Sequence, residues 1–498
     1  MILDVLTIVV ADGNGNRELM DNAATNNPER FYLRAPKGKN ATTLPLRSLV
    51  WFGLTFMSLS CHTESSSTNF HAREYQVTQA RHAHLLTNAG VWSPDSEWIA
   101  YDIRSDTPGA GFDGPRIEAV NVRTGEIKTL YASKNGAHCG VVTWNPRAWE
   151  VVFILGPENP TPDWQYDFSH RQGVIVDWAK PGAAANLDAR DLTSPFTPGA
   201  LRGGSHVHVW DAHGDWLSFT YNDALVESDV RDIAVSVPRP PVRVPKDHPR
   251  NHDGKYFSVL VSRTTAKPAP GSDDIKRACE EGWVGQNGYV RADRTRQNRA
   301  LAFQGSIVTA KGETLSEVFI ADLPEDLTPG ETPLAGTATT RPSPPRGVIQ
   351  RRLTFTAERK FPGLQGPRHW LRSSPDGSRI AFLMKDEAGI VQLWTISPNG
   401  GVPTQLTHNP WPIASAFTWS PDGCHLTHVM DNSVFLTDVT TGQSQRLTER
   451  TLNETAPLPE ACVFSPAGNK IAFMRQRPAE DGRAFSQICV ASLNGLLK

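Results

Sequence analysis

The chain has 498 residues and a formal net charge of −2, with 50 Lys and Arg against 52 Asp and Glu. A chain this close to neutrality offers no basic face, which argues against nucleic acid as a partner. Its 39 Gly, 38 Pro and 14 Trp, together with the lack of a long stretch of helical apolar period, favour many short strands joined by tight turns.

The six cysteines are scattered, and no two of them form a CxxC pair. This spacing argues against a zinc knuckle and against a thioredoxin-like site. We expect all of them to be core or turn residues. They are Cys61, Cys139, Cys279, Cys424, Cys462 and Cys489.

The N-terminal part divides into two segments. Residues 1–46 are polar and irregular and predict an extension without repeats. Residues 47–72 place Arg47 before the apolar run LVWFGLTFMSL and then Cys61, an order that resembles a bacterial lipoprotein signal with a lipid-accepting cysteine. The segment departs from that pattern at Ser58, where Leu is preferred, and in the length of chain before it. The alternative is an apolar strand or helix within an ordinary extension, because the run is too short to span a bilayer.

A turn motif then recurs along the chain. It reads WSPD at 92–95, WNP at 144–146, SPDG at 374–377, SPDG at 420–423 and SPAG at 465–468, each between apolar runs. The clearest copy lies in residues 415–448, where four strand-length segments are separated by tight-turn residues. That unit predicts a four-stranded antiparallel meander. Such a meander must stack on copies of itself to bury both faces.

These turns, and the Leu-Thr pairs that end the units at 192–193, 353–354, 406–407 and 447–448, resemble the TolB-like β-propeller repeat. The resemblance covers the chain from about Asn88 to the C-terminus. It implies an all-β fold, a seven-bladed β-propeller of four-stranded antiparallel blades over residues 73–498, with six or eight blades as alternatives. The family resembled is an uncharacterised bacterial group of such propellers, so the resemblance implies fold rather than activity.

The blades can be followed in order. Residues 75–80 predict a strand that pairs with the last blade, and the GxGxxG match at 109–114 falls in a loop because no βαβ unit surrounds it. In blade three, Asp211-Ala212-His213-Gly214 replaces the usual turn. Blade four lacks the turn, so its inner strand is assigned to 256–263. An insertion near 265–298 follows, in which Ser272 as N-cap and Gly282 as terminator predict a short helix.

Counting back from each turn proline predicts which side chains face the central channel. His206 and His208 then share one strand face, with His369 directed to the same axis and His138 close by. Converging imidazoles predict a divalent metal, zinc or manganese. The alternative is that each histidine is structural and hydrogen-bonds within the fold.

Other polar side chains adjoin the same strand starts. Arg202, Arg263 and Arg368 are candidates for bidentate contact with a carboxylate, and Asn88 and Glu460 occupy channel positions. Each arginine has the alternative of pairing with a channel acid.

One TolB-like relative with chemistry in its channel is oligogalacturonate lyase, which holds a metal through histidines that include an HxH pair. The similarity of His206, His208 and His369 to that set implies a metal-assisted elimination on acidic sugars. A departure is Gly203, which stands where that family has a Gln ligand. No P-loop, GxSxG or HExxH motif occurs, so neither a nucleotide cofactor nor a peptidase site is predicted.

Two hypotheses remain open at this stage, and no catalytic residue is assigned under either. The first is a ligand-binding or scaffolding propeller that engages a small glycan or a protein at its channel mouth. The second is a metal-dependent carbohydrate-active enzyme, such as a lyase. The expected location is the cell envelope, with contact to the membrane only through a lipid anchor, and the alternative is the cytoplasm.

Overall fold

The computed structural model describes residues 72–105 and 111–493. Within these ranges the chain is all-β, with 32 strands, one 3₁₀ turn at Asn453–Thr455 and no α-helix. No helix in this part of the chain is long and apolar enough to cross a membrane. Residues 1–71, including the lipoprotein-like segment and Cys61, lie outside the described residues.

Seven four-stranded antiparallel units account for 28 of the 32 strands (7 × 4 = 28). The chain enters through β1 (Arg73–Gln76), which belongs to the last unit. The first unit consists of β2 (Ala83–Leu85), β3 (Trp98–Arg104), β4 (Arg116–Asn121) and β5 (Ile127–Ala132). The second consists of β6 (Cys139–Trp144), β7 (Glu150–Leu155), β8 (Gln172–Asp177) and β9 (Ala184–Asn186).

A short parallel pair, β10 (Ala189–Arg190) and β11 (Ala200–Leu201), leads to the third and fourth units, which share one eight-stranded sheet. The third unit consists of β12 (Gly203–Trp210), β13 (Leu217–Asp223), β14 (Arg231–Val237) and β15 (Phe257–Leu260). The fourth consists of β16 (Ile275–Trp283), β19 (Arg299–Val308), β20 (Thr314–Leu323) and β21 (Ile349–Arg352). A hairpin of β17 (Tyr289–Val290) and β18 (Arg296–Gln297) is inserted between β16 and β19.

The last three units complete the order. The fifth consists of β22 (Arg372–Ser373), β23 (Ile380–Lys385), β24 (Val391–Ile396) and β25 (Thr404–Gln405). The sixth consists of β26 (Thr418–Trp419), β27 (His425–Met430), β28 (Ser433–Asp438) and β29 (Ser444–Arg446). The seventh consists of β30 (Pro457–Phe464), β31 (Lys470–Pro478), β32 (Ala484–Ser492) and β1, so a strand ahead of the first unit does pair with the last.

The recurrent turn works through its serine and aspartate. In the sixth unit the amide of Gly423 donates to the carbonyl of Ser420 at 2.9 Å, and Gly423 has φ +74°. The Asp422 carboxylate accepts from the amide of Cys424 at 2.9 Å. In the third unit Gly214 and Asp211 make the corresponding backbone bond at 3.0 Å, so the predicted replacement of the turn by residues 211–214 is confirmed.

Buried apolar clusters lie between successive units. Phe382 of the fifth unit shares a cluster with Ile320 of the fourth, and Phe417 of the sixth shares one with Leu383 of the fifth. Ile99 of the first unit packs in one cluster with residues of the seventh. Each of the seven neighbouring pairs of units has such a cluster, as expected when meanders bury their two faces against each other.

The innermost strands of the second, third and fourth units each contain a β-bulge. The register shifts between Gly140 and Thr143, between His206 and Val209 and between Cys279 and Gly282. Positive φ occurs within each shift, at Val141 (60°), Val207 (57°) and Glu280 (52°). A bulge interrupts the two-residue alternation of side chains, so the face on which later residues lie is reversed.

The prediction for blade four was wrong in its strand order. β15, which lies in the run assigned as an inner strand, is the outer strand of the third unit, and the segment predicted as a helix forms the inner strand β16. Glycine is needed at position 282 because of close packing with a neighbouring unit, and not because a helix ends there. A Cβ at that position would lie 2.1 Å from the carbonyl oxygen of Leu371 in the neighbouring unit.

Candidate functional site

The inner strands and the loops at one end of the units surround a pocket of about 840 Å³, called here the central pocket. All units but the sixth contribute to its lining. Its polar and aromatic lining residues are Asn88, Asp102, Arg104, Phe112, Tyr166, Phe168, Arg171, His206, Arg231, Arg277, Glu280, Arg368, Trp370 and Glu460. Five arginines therefore share the pocket with three carboxyl groups.

Two of these arginines are paired with acids. Arg104 donates from Nε to Asp102 Oδ2 at 2.6 Å, and Asp102 Oδ1 also accepts from the backbone amide of Val141 at 2.8 Å. Arg368 donates from Nε to Glu280 Oε1 at 2.8 Å. Two bulge residues therefore contact charged side chains of the pocket. Val141 of the second unit does so through its backbone amide, and Glu280 of the fourth unit through its carboxylate.

Arg171 has no such partner. Its side chain is buried, with 5% of the residue exposed, and its Nε and Nη1 have no hydrogen-bond partner among the described residues. The guanidinium lies over the rings of Tyr166 and Phe168, at 5.0 and 4.6 Å from their centroids. The Tyr166 side chain also interacts with this guanidinium, but no carboxylate pairs with it in the described chain, and a buried cation without a counter-charge is costly.

Arg231 and Arg277 add to the positive charge. Arg231 is buried, donates from Nε to the Asn222 side chain at 3.0 Å and lies 5.2 Å from the centroid of Phe168. Arg277 is exposed at the rim. Within the described ranges, neither forms an ion pair with a carboxylate. Three guanidinium groups, including Arg171, are therefore available to an anion in the pocket.

The pKa values of neighbouring groups reflect this charge and burial. The pKa of His206 lies well below its usual value, first because of burial and then because of the positive charges of Arg171, Arg231 and Arg368. Burial raises the pKa of the Glu460 carboxyl, whose Oε2 has no hydrogen-bond partner among the described residues. Near neutral pH, His206 is thus a neutral imidazole in a cationic surrounding.

Four of the nine residues predicted for the site line the central pocket, namely Asn88, His206, Arg368 and Glu460. Asn88 also accepts a hydrogen bond from Arg372, which belongs to the fifth unit, so the two side chains meet across the space between the units. Counting back from the turns therefore identified pocket positions in the first, third and seventh units, and Arg368 was predicted because it adjoins a strand start.

His208 and His369 lie elsewhere, which corrects the prediction of converging imidazoles. The bulge at Val207 separates His206 from His208, and His208 is fully buried with its ring 5.1 Å from that of Phe219. His369 has both ring nitrogens engaged by backbone. Nδ1 donates to the carbonyl of Pro367 at 2.9 Å, and Nε2 accepts from the amide of Leu383 at 3.1 Å.

The other three predicted residues also lie outside the central pocket. His138 lines a separate pocket of about 300 Å³. Arg202 is fully buried and forms an ion pair with Asp223 at 2.8 Å, which is the alternative of pairing with an acid. Arg263 lines a third pocket, of about 340 Å³.

The predicted metal does not fit these positions. A divalent ion such as zinc needs about three or four protein ligands directed to one point, and only His206 of the histidine set lines the central pocket. In residues 72–105 and 111–493, no group of three or more His, Cys, Asp or Glu side chains is placed to hold a metal ion. We therefore derive no metal-assisted step.

Sequence reasoning missed the arginines that dominate the pocket. Arg171 follows the aromatic loop at 157–170, Arg104 ends β3, and Arg231 begins β14. None of them lies on an innermost strand, and the channel positions were predicted from those strands alone. The aromatic residues Tyr166 and Phe168, close before Arg171 in an exposed loop, were the available signal.

Comparison with known proteins identifies the family of this chain. Residues 138–252 match the sequence profile of a family described as "Protein of unknown function (DUF3748)". The chain is also 50% identical over 409 residues to "Uncharacterized protein YidR" of Escherichia coli (strain K12), an alignment that covers 80% of this chain and 94% of that protein. The chain belongs to the YidR family. The segment matched by the profile contains Arg171, His206 and Arg231 of the central pocket.

Two solved structures similar to this YidR-family chain are distant in sequence. Oligogalacturonate lyase in complex with manganese is 11% identical with a TM-score of 0.49, over 84% of this chain and 93% of that one. TolB from Acinetobacter baumannii is 14% identical with a TM-score of 0.33, over 81% and 84%. Neither structural similarity indicates an activity for this chain.

Proposed function

We propose that the protein is a ligand-binding, seven-bladed β-propeller whose central pocket binds a small organic anion, with acidic sugars as the ligand class. The observation that carries the proposal is Arg171. Its guanidinium is buried at the pocket wall with two nitrogens lacking a protein acceptor.

A closed ring of seven blades accounts for the sheet order. There are seven four-stranded units, each neighbouring pair shares an apolar cluster, and β1 pairs with β32 of the last unit. Side chains also link adjacent units. Trp283 and Trp419 each donate from the indole nitrogen to a backbone carbonyl of the preceding unit, at 3.0 and 2.9 Å, and Trp92 of the first unit donates in the same way to the seventh, at 3.0 Å. In such a ring the central pocket occupies one mouth of the channel.

The charge balance of the pocket favours an anion over a neutral ligand. Arg104 and Arg368 are matched by Asp102 and Glu280, whereas Arg171, Arg231 and Arg277 have no carboxylate partner in the described chain. A carboxylate bound to a buried guanidinium gains charge-assisted, bidentate hydrogen bonds and removes the cost of leaving the cation unpaired.

Aromatic rings supply the second part of the recognition. Tyr166, Phe168 and Trp370 line the same pocket, and the ring of Tyr166 stacks on that of Phe112 with centroids 4.5 Å apart. Rings beside hydrogen-bonding groups suit a ligand with an apolar sugar face and a charged edge. The metal-dependent lyase predicted as an alternative would take the same class of ligand, but its donor set is not assembled here.

A matched pair of sugars tests the proposal. Glucuronate and glucose differ at one position, where one carries a carboxylate and the other a hydroxymethyl group. Glucuronate is expected to raise the melting temperature of the protein in a saturable manner, and glucose to have a much smaller effect. The shift should be much smaller in Arg171→Gln than in Arg123→Gln, whose side chain is 79% exposed. Equal shifts with both sugars, or with both variants, would overturn the proposal.

We also propose a location in the cell envelope, with the protein held by a lipid on Cys61. The support is the order of Arg47, the apolar run and Cys61 in the sequence. Metabolic labelling with a fatty-acid probe tests it. Label should appear in the wild type and vanish in Cys61→Ser, and unlabelled wild-type protein in the cytoplasmic fraction would refute the assignment.

A further inference from the structure

A separate cavity of about 510 Å³, called here the lateral pocket, is lined in part by the aromatic loop at residues 157–170. The loop is shared, since Tyr166, Phe168 and Arg171 line the central pocket and Trp164 lines the lateral one. The other side chains that matter here are Lys134, Glu158, Arg190, Arg250 and His252.

Arg190 forms the inner wall of the lateral pocket. Only 2% of the residue is exposed, and its Nη2 donates to the backbone carbonyls of His170 and Arg171. Its Nε has no hydrogen-bond partner among the described residues. The buried Asp188 carboxyl is close enough to act on its charge, but the two groups form no ion pair in the described chain. A buried guanidinium with an unbonded Nε in a pocket wall has a donor left for a ligand.

Trp164 supplies a second donor. Its indole Nε1 is buried without a partner in the described chain, while its ring stacks on His170 with centroids 3.7 Å apart. The guanidinium carbon of Arg190 lies 5.5 Å from the Trp164 ring centroid. The stack and the neighbouring cation fix the indole, so its N–H is held in one orientation beside Arg190.

His252 supplies an acceptor. Its backbone pairs with that of Arg190 through hydrogen bonds of 2.9 and 3.1 Å, which places the two side chains side by side. Its Nδ1 lies 3.4 Å from the carbonyl oxygen of Asp253, and because a carbonyl only accepts, Nδ1 carries the proton. The buried Nε2, which has no partner in the described residues, is then a lone-pair acceptor. Burial and Arg190 lower the pKa of this imidazole to about 3, so it is neutral near pH 7.

The charge of the pocket has the sign that an anion requires. Of the charged residues that line it, Lys134, Arg190 and Arg250 are basic and Glu158 is acidic, and the balance stays positive when the buried Asp188 near Arg190 is also counted. Arg250 donates to the carbonyls of Glu158 and Asn159 at 2.7 and 2.9 Å, which fixes that side of the pocket before any ligand enters.

We propose that the lateral pocket is a second binding site, for a small hydroxycarboxylate. The carboxylate accepts from Arg190 Nε and Trp164 Nε1, and a hydroxyl group of the same ligand donates to His252 Nε2. This assignment satisfies all three unpartnered groups with one ligand, and it does not depend on a ligand in the central pocket.

Lactate and propionate are the probes, because they differ by one hydroxyl group. In ¹⁵N-labelled protein, the indole cross-peak that disappears in Trp164→Phe identifies the Trp164 N–H. That variant keeps an aromatic ring beside His170 and removes the indole donor. Lactate should shift this cross-peak in a saturable manner, and propionate should do so about fivefold more weakly, for the loss of one hydrogen bond. Sodium chloride at equal ionic strength should not move it.

Two further variants keep the outcome decisive. In His252→Phe, lactate and propionate should bind alike, since the acceptor is gone. In Arg171→Gln, which changes a side chain of the central pocket and keeps the backbone carbonyl that Arg190 contacts, the response of Trp164 to lactate should be unchanged. An immobile Trp164 cross-peak at saturating lactate would show that these groups bind water only and would overturn the proposal. Equal binding of lactate and propionate to the wild type would overturn the role of His252.

Discussion

Arg475 donates from Nε to Glu74 Oε1 at 2.7 Å and from Nη2 to Glu74 Oε2 at 2.9 Å. Glu74 lies on β1, at the start of the described chain, and Arg475 lies on β31, so this bidentate pair joins residues 401 positions apart. Both strands belong to the seventh unit, in which the first and last strands of the described chain pair.

Glu74→Ala should destabilise the protein by about 3 kcal/mol, because the Arg475 side chain is 1% exposed and would lose the partner for a buried charge. The matched control is Glu480→Ala, which removes an ion pair with Arg81 from a side chain that is 92% exposed. That change should cost less than about 1 kcal/mol. Denaturant unfolding measures both, and equal effects would contradict the role of Glu74 in joining the ends.

Gly282→Ala should lower stability by about 2–3 kcal/mol, because the added Cβ would meet the Leu371 carbonyl oxygen at 2.1 Å, and backbone must move to admit it. Gly330→Ala is the control, since a Cβ there has nothing within 4 Å. Thermal melting of the two variants should separate them clearly. An unchanged midpoint for Gly282→Ala would mean that the fourth and fifth units do not approach as described.

Glu281 predicts a dependence of stability on pH. The residue is fully buried, and burial raises the pKa of its carboxyl from 4.5 to about 8. Between those values the folded protein holds a proton that the unfolded chain has released, so the free energy of unfolding falls as pH rises, by at most about 1.4 kcal/mol per pH unit. Glu281→Gln should remove this contribution and gain stability over the wild type from pH 5 to pH 8. Glu454→Gln, at an exposed site, should not change the dependence of stability on pH. If the free energy of unfolding varies with pH in the same way for Glu281→Gln and the wild type, the raised pKa of Glu281 is contradicted.

A chelator should leave the melting temperature of the purified protein unchanged. The reason is that His206 lines the central pocket, His208 packs on Phe219 and His369 is bonded to backbone through both nitrogens. Elemental analysis is the direct measurement. Stoichiometric zinc or manganese that is lost in His206→Ala would contradict this arrangement of the histidines.

Much of the fold could be predicted from the recurring turns, because Ser, Asp and Gly have fixed roles in them. Residues 420–423 and 374–377 form those turns, with Gly423 and Gly377 at positive φ. The fourth unit could not be placed in the same way. Its inner strand lacks the turn, and Gly282, which resembles a helix terminator in the sequence, is set by the approach of Leu371 from another unit.

The site was predictable only where strand alternation holds. His206 was found by counting back from a turn, but the bulge at Val207 then carried His208 to another face, and nothing in the sequence marks that bulge. Arg171 and Arg231 come from a loop and from the start of a third strand, so no count along inner strands reaches them. Their side chains come together only when the units pack against each other.

The most direct test of the account is a calorimetric titration of glucuronate into Trp164→Phe protein, in which the lateral pocket lacks its indole donor. The central pocket should bind glucuronate there, and adding Arg171→Gln should weaken that binding at least about tenfold, the loss of a charge-assisted contact to a buried guanidinium. Absence of binding to Trp164→Phe, or the same affinity with and without Arg171→Gln, would contradict the central claim that Arg171 receives the carboxylate of a ligand.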